Sequence, residues 1–206
     1  MASAVQFDER AHQYSTGGKK VLSVTQAIKA AGLVPDEFFN EEAAERGKAV
    51  HMAARLYDEH NMETLRVHLR ETKEYGIEGY LDGWIDFLKV SKFKVRKIEH
   101  LVSDPARHYA GRLDREGMLN GQEAVLDLKS NKTGRVWPTA ALQLAAYVNP
   151  LRKGRRFRRF LRVAVALRPD GKFNCIEYKM RDFESDLQDF FVVLQAARIR
   201  QRLGVA

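Results

Sequence analysis

The spacing of apolar residues along the first 96 positions is mainly helical. Apolar residues recur every three or four positions over about Glu41 to His60 and over about Glu74 to Val90, which predicts an amphipathic helix in each stretch. Ser23 and Gln26 have the spacing of a capping box, so a shorter helix is predicted to begin there. Ahead of it, a polar turn at Gly17-Gly18 predicts a small hairpin.

From Lys97 the pattern changes to the alternation of strands, and helical spacing returns at Pro138, a residue suited to the first turn of a helix. The predicted elements are the strands Ile98–Val102, Tyr109–Leu119 and Gln122–Ser130, a helix from Pro138, the strands Phe160–Leu167 and Phe173–Lys179, and a helix over about Phe183–Arg202. Together they predict an α/β fold with a central mixed β-sheet flanked by helices.

Composition narrows the class of protein. The 206 residues, 45% of them hydrophobic, are enough to bury one sizeable core, and a single domain is expected over residues 1–206. The apolar stretches are far shorter than the ~20 residues of a membrane span, so no membrane partner is expected. Cys175 is the sole cysteine, which excludes a disulfide within the chain. The first ten residues lack a signal-peptide pattern, and a cytoplasmic location is expected.

Positive charge is concentrated in one segment. The chain has 35 Lys and Arg against 27 Asp and Glu, a net charge of +8, and the densest basic run extends from Arg152 to Arg159. Cationic side chains on phosphates release condensed counterions, so the run favours a nucleic-acid partner. We assign DNA contacts to Arg155, Arg156, Arg158 and Arg159. The alternative is a solvated basic loop.

Asn120-Gly121 lies between two strand-like runs, and this dipeptide is the strongest short hairpin signal. A two-residue turn pairs Leu119 with Gln122, and the same register places Asp114 directly across from Asp127. Counted from the turn, this is a non-hydrogen-bonded pair, with Cα atoms roughly 4.5 Å apart. Two opposed carboxylates destabilise a sheet unless a cation lies between them. The register therefore predicts a divalent metal site.

Lys129 lies two residues beyond Asp127, so strand alternation returns its side chain to the same face, while Leu126 and Leu128 point into the core. Carboxylate-bound Mg²⁺ or Mn²⁺ activates water and polarises a phosphoryl oxygen, and a nearby ammonium stabilises the developing charge. This combination is typical of phosphodiester hydrolysis. The alternative is a solvent-facing hairpin in which Asp127 and Lys129 are ordinary surface charges.

Four blocks of sequence resemble, in order, the RecB-like branch of the PD-(D/E)XK nuclease superfamily, which includes phage-type exonucleases. The blocks are Arg46-Gly47-Lys48-Ala49-Val50-His51, Gly111-Arg112-Leu113-Asp114, Val125-Leu126-Asp127-Leu128-Lys129 and Gln143-Leu144-Ala145-Ala146-Tyr147. They span about half of the chain. The resemblance implies a restriction-endonuclease-like core, with a hairpin and helices over residues 1–96, the catalytic core over 97–180 and a C-terminal helix over 181–206.

The resemblance also implies roles for individual residues. His51 and the Leu128 carbonyl are implied as metal ligands beside Asp114 and Asp127, with Mg²⁺ or Mn²⁺ as the cofactor. Gln143 and Tyr147 share a helical face and are implied to lie beside the catalytic residues. A polar residue in an otherwise apolar helix is the alternative for Tyr147.

Further DNA contacts are expected at Arg46 and Arg112 and in the polar loop Ser130 to Thr133 after the catalytic lysine, at Ser130, Asn131 and Lys132. Any surface loop can have this composition, so the loop assignment has an open alternative. Glu99, on the strand before Asp114, is either a further acid near the metal or an exposed strand glutamate.

The sequence thus predicts a metal-dependent deoxyribonuclease, with an exonuclease of DNA recombination or repair favoured. An endonuclease, a catalytically silent DNA-binding module and a metal hydrolase with a different substrate are the alternatives. DNA is the expected substrate. A recombination partner protein and a homo-oligomer are left open.

Overall fold

A computed structural model describes residues 5–11, 13–33, 41–153 and 159–205. The strands are β1 (Val5–Asp8), β2 (Gln13–Thr16), β3 (Lys19–Ser23), β4 (Lys94–Asp104), β5 (Tyr109–Leu119), β6 (Gln122–Ser130), β7 (Leu161–Leu167) and β8 (Phe173–Tyr178). The helices are α1 (Val24–Ala30), α2 (Glu41–Asp58), α3 (Met62–Glu71), α4 (Glu78–Ser91), α5 (Thr139–Arg152) and α6 (Phe183–Leu203). None of the helices in the described part of the chain combines the length and hydropathy that a membrane span requires.

All eight strands described belong to one mixed sheet, in the order β1-β2-β3-β5-β6-β7-β8, with β4 paired to β5. β1, β2 and β3 form an antiparallel meander, and β7 lies parallel to β6 and antiparallel to β8. The parallel step from β6 to β7 is connected through α5, the usual crossover for parallel neighbours. The predicted mixed sheet with flanking helices is confirmed.

β5 divides one of its edges between two partners. Its first residues, Tyr109 and Ala110, pair in parallel with β3, whereas Arg115 to Leu119 pair in antiparallel fashion with β6. The other edge of β5 pairs with β4 along nearly its whole length. Between β3 and β6 the sheet opens at residues 111–114, and we call this opening the fork.

Helices cover both faces of the sheet. One apolar core joins α1, α5 and α6 to one face, with Leu144 and Phe190 among its fully buried residues. A second core joins α2, α3 and α4 to the opposite face and contains Trp84 and the predicted core residues Leu126 and Leu128. These two cores hold the strands around the fork in place.

The predicted strands Tyr109–Leu119 and Gln122–Ser130 match β5 and β6 residue for residue, and the capping box of Ser23 and Gln26 is present. The predicted hairpin around Gly17-Gly18 is part of the three-stranded meander. The helix predicted from Glu74 begins instead at Glu78, because Gly76 adopts a left-handed backbone with φ of 57° that ends a preceding 3-10 turn. α3 was not predicted.

Candidate active site

Residues of the fork line a cavity of about 460 Å³ together with residues of α2 and α5. The predicted residues that line it are His51, Arg112, Asp114, Asp127, Lys129, Gln143 and Tyr147. His51 comes from α2 and Gln143 from α5, two helices on opposite faces of the sheet. Both reach the same cavity at the place where the sheet is open.

The hairpin register is confirmed from Leu119↔Gln122 to Arg115↔Leu126, one pair before Asp114 and Asp127. The ladder ends there, so the two aspartates, expected to pair directly, lie one position beyond its last paired residues. If the ladder continued, the next hydrogen-bonded pair would be Leu113 with Leu128, and it would use the backbone N–H and carbonyl of Leu128. Its N–H donates instead to Asp114 Oδ2 at 2.6 Å, and its carbonyl oxygen lies 3.1 Å from His51 Nε2. Side chains of the cavity thus replace the ladder at this point.

Asp114 is held as an anion. Its Oδ1 lies 3.5 Å from His51 Nδ1, and its Oδ2 accepts the Leu128 N–H. Burial alone would raise its pKa, but His51, Lys129 and the Leu128 amide outweigh burial and lower the pKa to about 2. The neighbouring carboxylate in turn raises the pKa of the His51 imidazole above its ordinary value, against the effect of burial.

Asp127 is only 2% exposed and is contacted by two side chains. Gln143 Nε2 donates to its Oδ1 at 2.7 Å, and Lys129 Nζ lies 3.0 Å from Oδ1 and 2.8 Å from Oδ2. Oδ2 is buried and has no aligned hydrogen bond in spite of that short distance. Burial and the charge of Asp114 raise the pKa of Asp127, although Lys129 opposes the shift.

Gln143 connects the acidic and basic groups of the cavity. Its Oε1 accepts a hydrogen bond from Lys129 Nζ at 3.2 Å, and its Nε2 is also 3.2 Å from the Tyr147 hydroxyl. Burial lowers the pKa of Lys129, but Asp127 and Asp114 outweigh it and the net shift is upward. Lys129 is therefore an ammonium ion fixed between a carboxylate and an amide.

Glu99 lies on β4 directly opposite Asp114 of β5, since the β4–β5 register pairs Ile98 with Arg115 and His100 with Leu113. Its backbone is left-handed, with φ of 51°, a strained conformation for a residue with a side chain. Its Oε2 lies 2.7 Å from Arg112 Nε. Burial and the charge of Asp114 raise the pKa of Glu99. It is a partly buried acid of the cavity, with its side chain 18% exposed, not an exposed strand glutamate.

The residues present fit a hard divalent cation. His51, Glu99 and Asp114 each offer one ligand atom, and these atoms lie within 4.8 Å of one another. Asp127 is not part of that group, since Lys129 and Gln143 hold its carboxylate, but its buried Oδ2 keeps a free lone pair. Carboxylate oxygens with one imidazole suit Mg²⁺ or Mn²⁺ better than a thiolate-seeking metal.

The predicted DNA contacts lie in different places. Arg112 lines the cavity but is paired with Glu99, whereas Arg46 lies against Glu42 and the ring of Tyr80, outside the cavity. In the loop after β6, Asn131 Oδ1 accepts hydrogen bonds from the amides of Thr133 and Arg135 and so shapes the loop. Ser130 is close to Gly47, Lys132 is exposed, and so is Arg159. Arg155, Arg156 and Arg158 lie outside the described residues.

Several cavity residues were missed by the sequence analysis. Lys48, Met52 and Arg55 line the mouth from α2, and Tyr14, Ser23 and Thr25 line it from the N-terminal segment. Lys48 and Arg55 could have been found, because they lie three residues before and four residues after His51 and so share its helical face. Met52 is four residues from Lys48 and three from Arg55. The N-terminal residues Tyr14, Ser23 and Thr25 fall in segments that also resemble the phage-type members, but they were not assigned to the site, since their place depends on the parallel pairing of β3 with β5.

Solved structures resemble this fold. A structure from Eubacterium rectale named as a candidate exonuclease aligns over 90% of this chain and 82% of its own, with 10% sequence identity and a TM-score of 0.57. The alkaline exonuclease LHK-Exo from Laribacter hongkongensis, in complex with dAMP, aligns over 89% of this chain and 93% of its own, at 12% identity and a TM-score of 0.43. No family model matches the chain, and neither does any protein of curated function.

The likeness to the Eubacterium rectale structure concerns the fold, because the sequence identity is low. The predicted fold is thus shared with a solved structure, and the superfamily is what the sequence resemblance implies.

Proposed function

We propose that this chain is a divalent-metal-dependent nuclease that hydrolyses the phosphodiester bonds of DNA. The observation that carries the proposal is the convergence of Asp114, Asp127 and Lys129 in one cavity at the fork. Burial and neighbouring charges shift the pKa of all three: His51 and Lys129 act on Asp114, and Asp127 and Lys129 act on each other, a pattern typical of a reactive site and unusual for surface residues. The Eubacterium rectale structure that resembles this fold is named as a candidate exonuclease, which supports the same class of reaction.

The metal would be held by Asp114, with His51 and Glu99 beside it and Asp127 as a further carboxylate. The Leu128 carbonyl, which His51 contacts, completes the set that the sequence resemblance implies. When bound, Mg²⁺ or Mn²⁺ would polarise a phosphoryl oxygen and lower the pKa of a water molecule.

The chain's own residues provide orientation and charge. Lys129, held as an ammonium ion by Asp127 and Gln143, can stabilise the negative charge that develops on the phosphoryl group. Gln143 fixes the two catalytic side chains relative to each other, because one amide group contacts both. The geometry of the site is therefore set before the substrate arrives.

The decisive experiment is hydrolysis of end-labelled DNA with Mg²⁺, with Mn²⁺ and with a chelator, by the wild type and by Asp127→Asn. Asp189→Asn, an exposed position on α6, is the matched control. We expect metal-dependent hydrolysis by the wild type and the control, and a loss of most activity in Asp127→Asn. Full activity of Asp127→Asn, or activity without metal, contradicts the proposal.

Metal binding has a readout that does not depend on activity. A ligand that binds only the native state stabilises it by about 2.7 kcal/mol at a concentration of 100 times Kd. We expect Mg²⁺ to raise the Tm of the wild type and to have much less effect on Asp114→Asn, since this change removes the carboxylate at the centre of the ligand group. Equal shifts in both proteins would place the metal elsewhere.

An exonuclease is favoured over an endonuclease by the depth of the site. The side chains of Asp114 and Asp127 are 12% and 2% exposed, so the scissile phosphate has to enter the cavity. A frayed strand end enters more easily than the middle of a stiff duplex. We expect a linear duplex to be degraded and a closed circle of the same sequence to persist. Equal rates would favour an endonuclease. A role in DNA recombination or repair rests on the sequence resemblance.

A further inference from the structure

An acidic cavity needs positive charge at its mouth if a polyanion is to enter. Four cationic side chains of the lining belong to Lys48, Arg55, Arg112 and Lys129. Arg112 is held by Glu99 at 2.7 Å and Lys129 by Asp127 at 2.8 Å, and both acids are largely buried. These two cations therefore neutralise acids inside the site and are not available to bind a phosphate at its mouth.

Lys48 and Arg55 are in a different situation. They pair with Glu45 and Glu59, which lie three and four residues away along the same segment, and their side chains are 73% and 43% exposed. Exposed pairs of this kind are weak and screened by salt. Each cation can therefore exchange its glutamate for a phosphate at little cost, whereas Arg112 and Lys129 would leave a buried acid unpaired.

The spacing of these residues matches a nucleic-acid strand. Lys48 and Arg55 are seven residues apart on α2, about 10 Å along the helix axis. This matches the rise of about three nucleotide steps, at the 3.4 Å per step of one strand along a duplex axis. Met52 lies between them on the same face and is 42% exposed, the one large apolar side chain at the mouth of the cavity among the described residues.

We infer that one DNA strand lies along this face of α2, with Lys48 and Arg55 on phosphates about three steps apart, one on either side of the phosphate that enters the cavity. Met52 packs against the sugar or base between them. We call Lys48, Met52 and Arg55 the α2 track. The inference rests on the proposed nuclease function and identifies the substrate of the track as a single strand or a frayed strand end, since a helix face this narrow contacts one backbone.

The test is the salt dependence of binding to a labelled single-stranded oligonucleotide, with Ca²⁺ in place of Mg²⁺ to limit hydrolysis. The variants are Lys48→Gln combined with Arg55→Gln, Met52→Ala, and Arg66→Gln as a control. Arg66 is exposed on α3 and does not line the cavity. Circular dichroism and Tm verify that each variant is folded.

Each phosphate contact on a single strand contributes about 0.7 to the slope of log K against log salt concentration. The double variant removes two contacts, so the slope should fall by about 1.4, which is about 0.7 for each contact. In hydrolysis it should raise KM and leave kcat at saturating DNA unchanged. Met52→Ala should weaken binding by roughly fourfold, the factor for about one methylene group removed from water, with the slope unaltered. Arg66→Gln should match the wild type.

An unchanged slope in the double variant overturns the α2 track, and so does a loss in Arg66→Gln as large as in the double variant. If the wild type hydrolyses DNA in either case, the proposed function survives and the inference alone fails. If the wild type neither binds nor hydrolyses DNA, both fail. A drop in kcat without a change in KM would make Lys48 and Arg55 participants in the reaction and would also overturn the track.

Discussion

Asp58, the last residue of α2, accepts a hydrogen bond from Arg115 Nε at 2.6 Å, and the side chains of both residues are almost fully buried. Arg115 is the neighbour of Asp114, and its Nη1 donates to the Asp114 backbone carbonyl at 2.8 Å. Asp58 also accepts the indole N–H of Trp84 at 3.0 Å. The end of α2 is thereby fixed to β5 directly behind the candidate catalytic aspartate.

Neutralising Asp58 should be costly, because it leaves the buried Arg115 guanidinium with only the more distant Glu99 carboxylate, 3.9 Å away, as an anion. Burial raises the pKa of Asp58 in spite of Arg115, so the intact pair itself contributes little net stability. Removing one partner of such a pair typically costs about 3–5 kcal/mol. We expect Asp58→Asn to lower the free energy of unfolding in urea by that amount. Glu59→Gln, which breaks an exposed pair, should change it by less than about 1 kcal/mol.

Gly111 and Gly47 should respond in opposite directions to substitution by alanine. A Cβ on Gly111 would lie 2.6 Å from Cε1 of Tyr147, so the ring has to move, and we expect a loss of about 1–3 kcal/mol. A Cβ on Gly47 would lie 3.7 Å from Ser130 Oγ, an ordinary contact, and alanine favours a helix interior by about 0.5–1 kcal/mol. Urea denaturation of both variants measures the two values. A stabilising Gly111→Ala would contradict the close approach of Tyr147.

The hairpin of β5 and β6 could be predicted from sequence because its information is local. Asn120 and Gly121 have left-handed backbones, with φ of 51° and 79°, as the turn requires, and alternation then places every following side chain. The fork was not predictable in this way. The fork forms because β3, more than 80 positions earlier in the chain, pairs with one end of the β5 edge. It also requires that the side chains of Asp114 and His51 contact the backbone of Leu128 in place of a paired strand.

Two further differences have physical causes of the same kind. α3 has only ten residues and a single buried one, Leu65, so it is too short for its helical period to stand out in the sequence. The position of Glu99 depends on the β4–β5 register, which shifts between Val95 and Lys97 at an irregularity without a turn signal. Alternation could therefore not decide between a buried acid and an exposed one at this residue.

Glu116 should make the fold sensitive to acid. It accepts hydrogen bonds from His100 Nδ1 at 2.7 Å and from Lys97 Nζ at 3.2 Å, and His100 makes the larger contribution to lowering its pKa. A carboxyl group with a lowered pKa in the folded state stabilises the fold above its unfolded value of 4.5, and this contribution is lost as the pH falls through the lowered pKa. We expect Glu116→Gln to flatten the decline of Tm below pH about 4.5. Glu177→Gln, an exposed position on β8, should leave the decline as in the wild type.

Gln143 and Tyr147 should differ in their importance for hydrolysis, because only Gln143 contacts the charged groups directly. Removing a side chain that orients a metal-binding carboxylate typically costs about 10–100-fold, and Gln143 holds both Asp127 and Lys129. We expect Gln143→Ala to lower kcat by that factor with the fold intact. Tyr147→Phe removes one hydrogen bond to Gln143 at 3.2 Å and should cost less than about tenfold, the range of a single neutral hydrogen bond. Single-turnover rates at saturating metal and DNA compare the two variants without a contribution from product release. A Tyr147→Phe variant as impaired as Gln143→Ala would mean that the hydroxyl contacts the substrate itself.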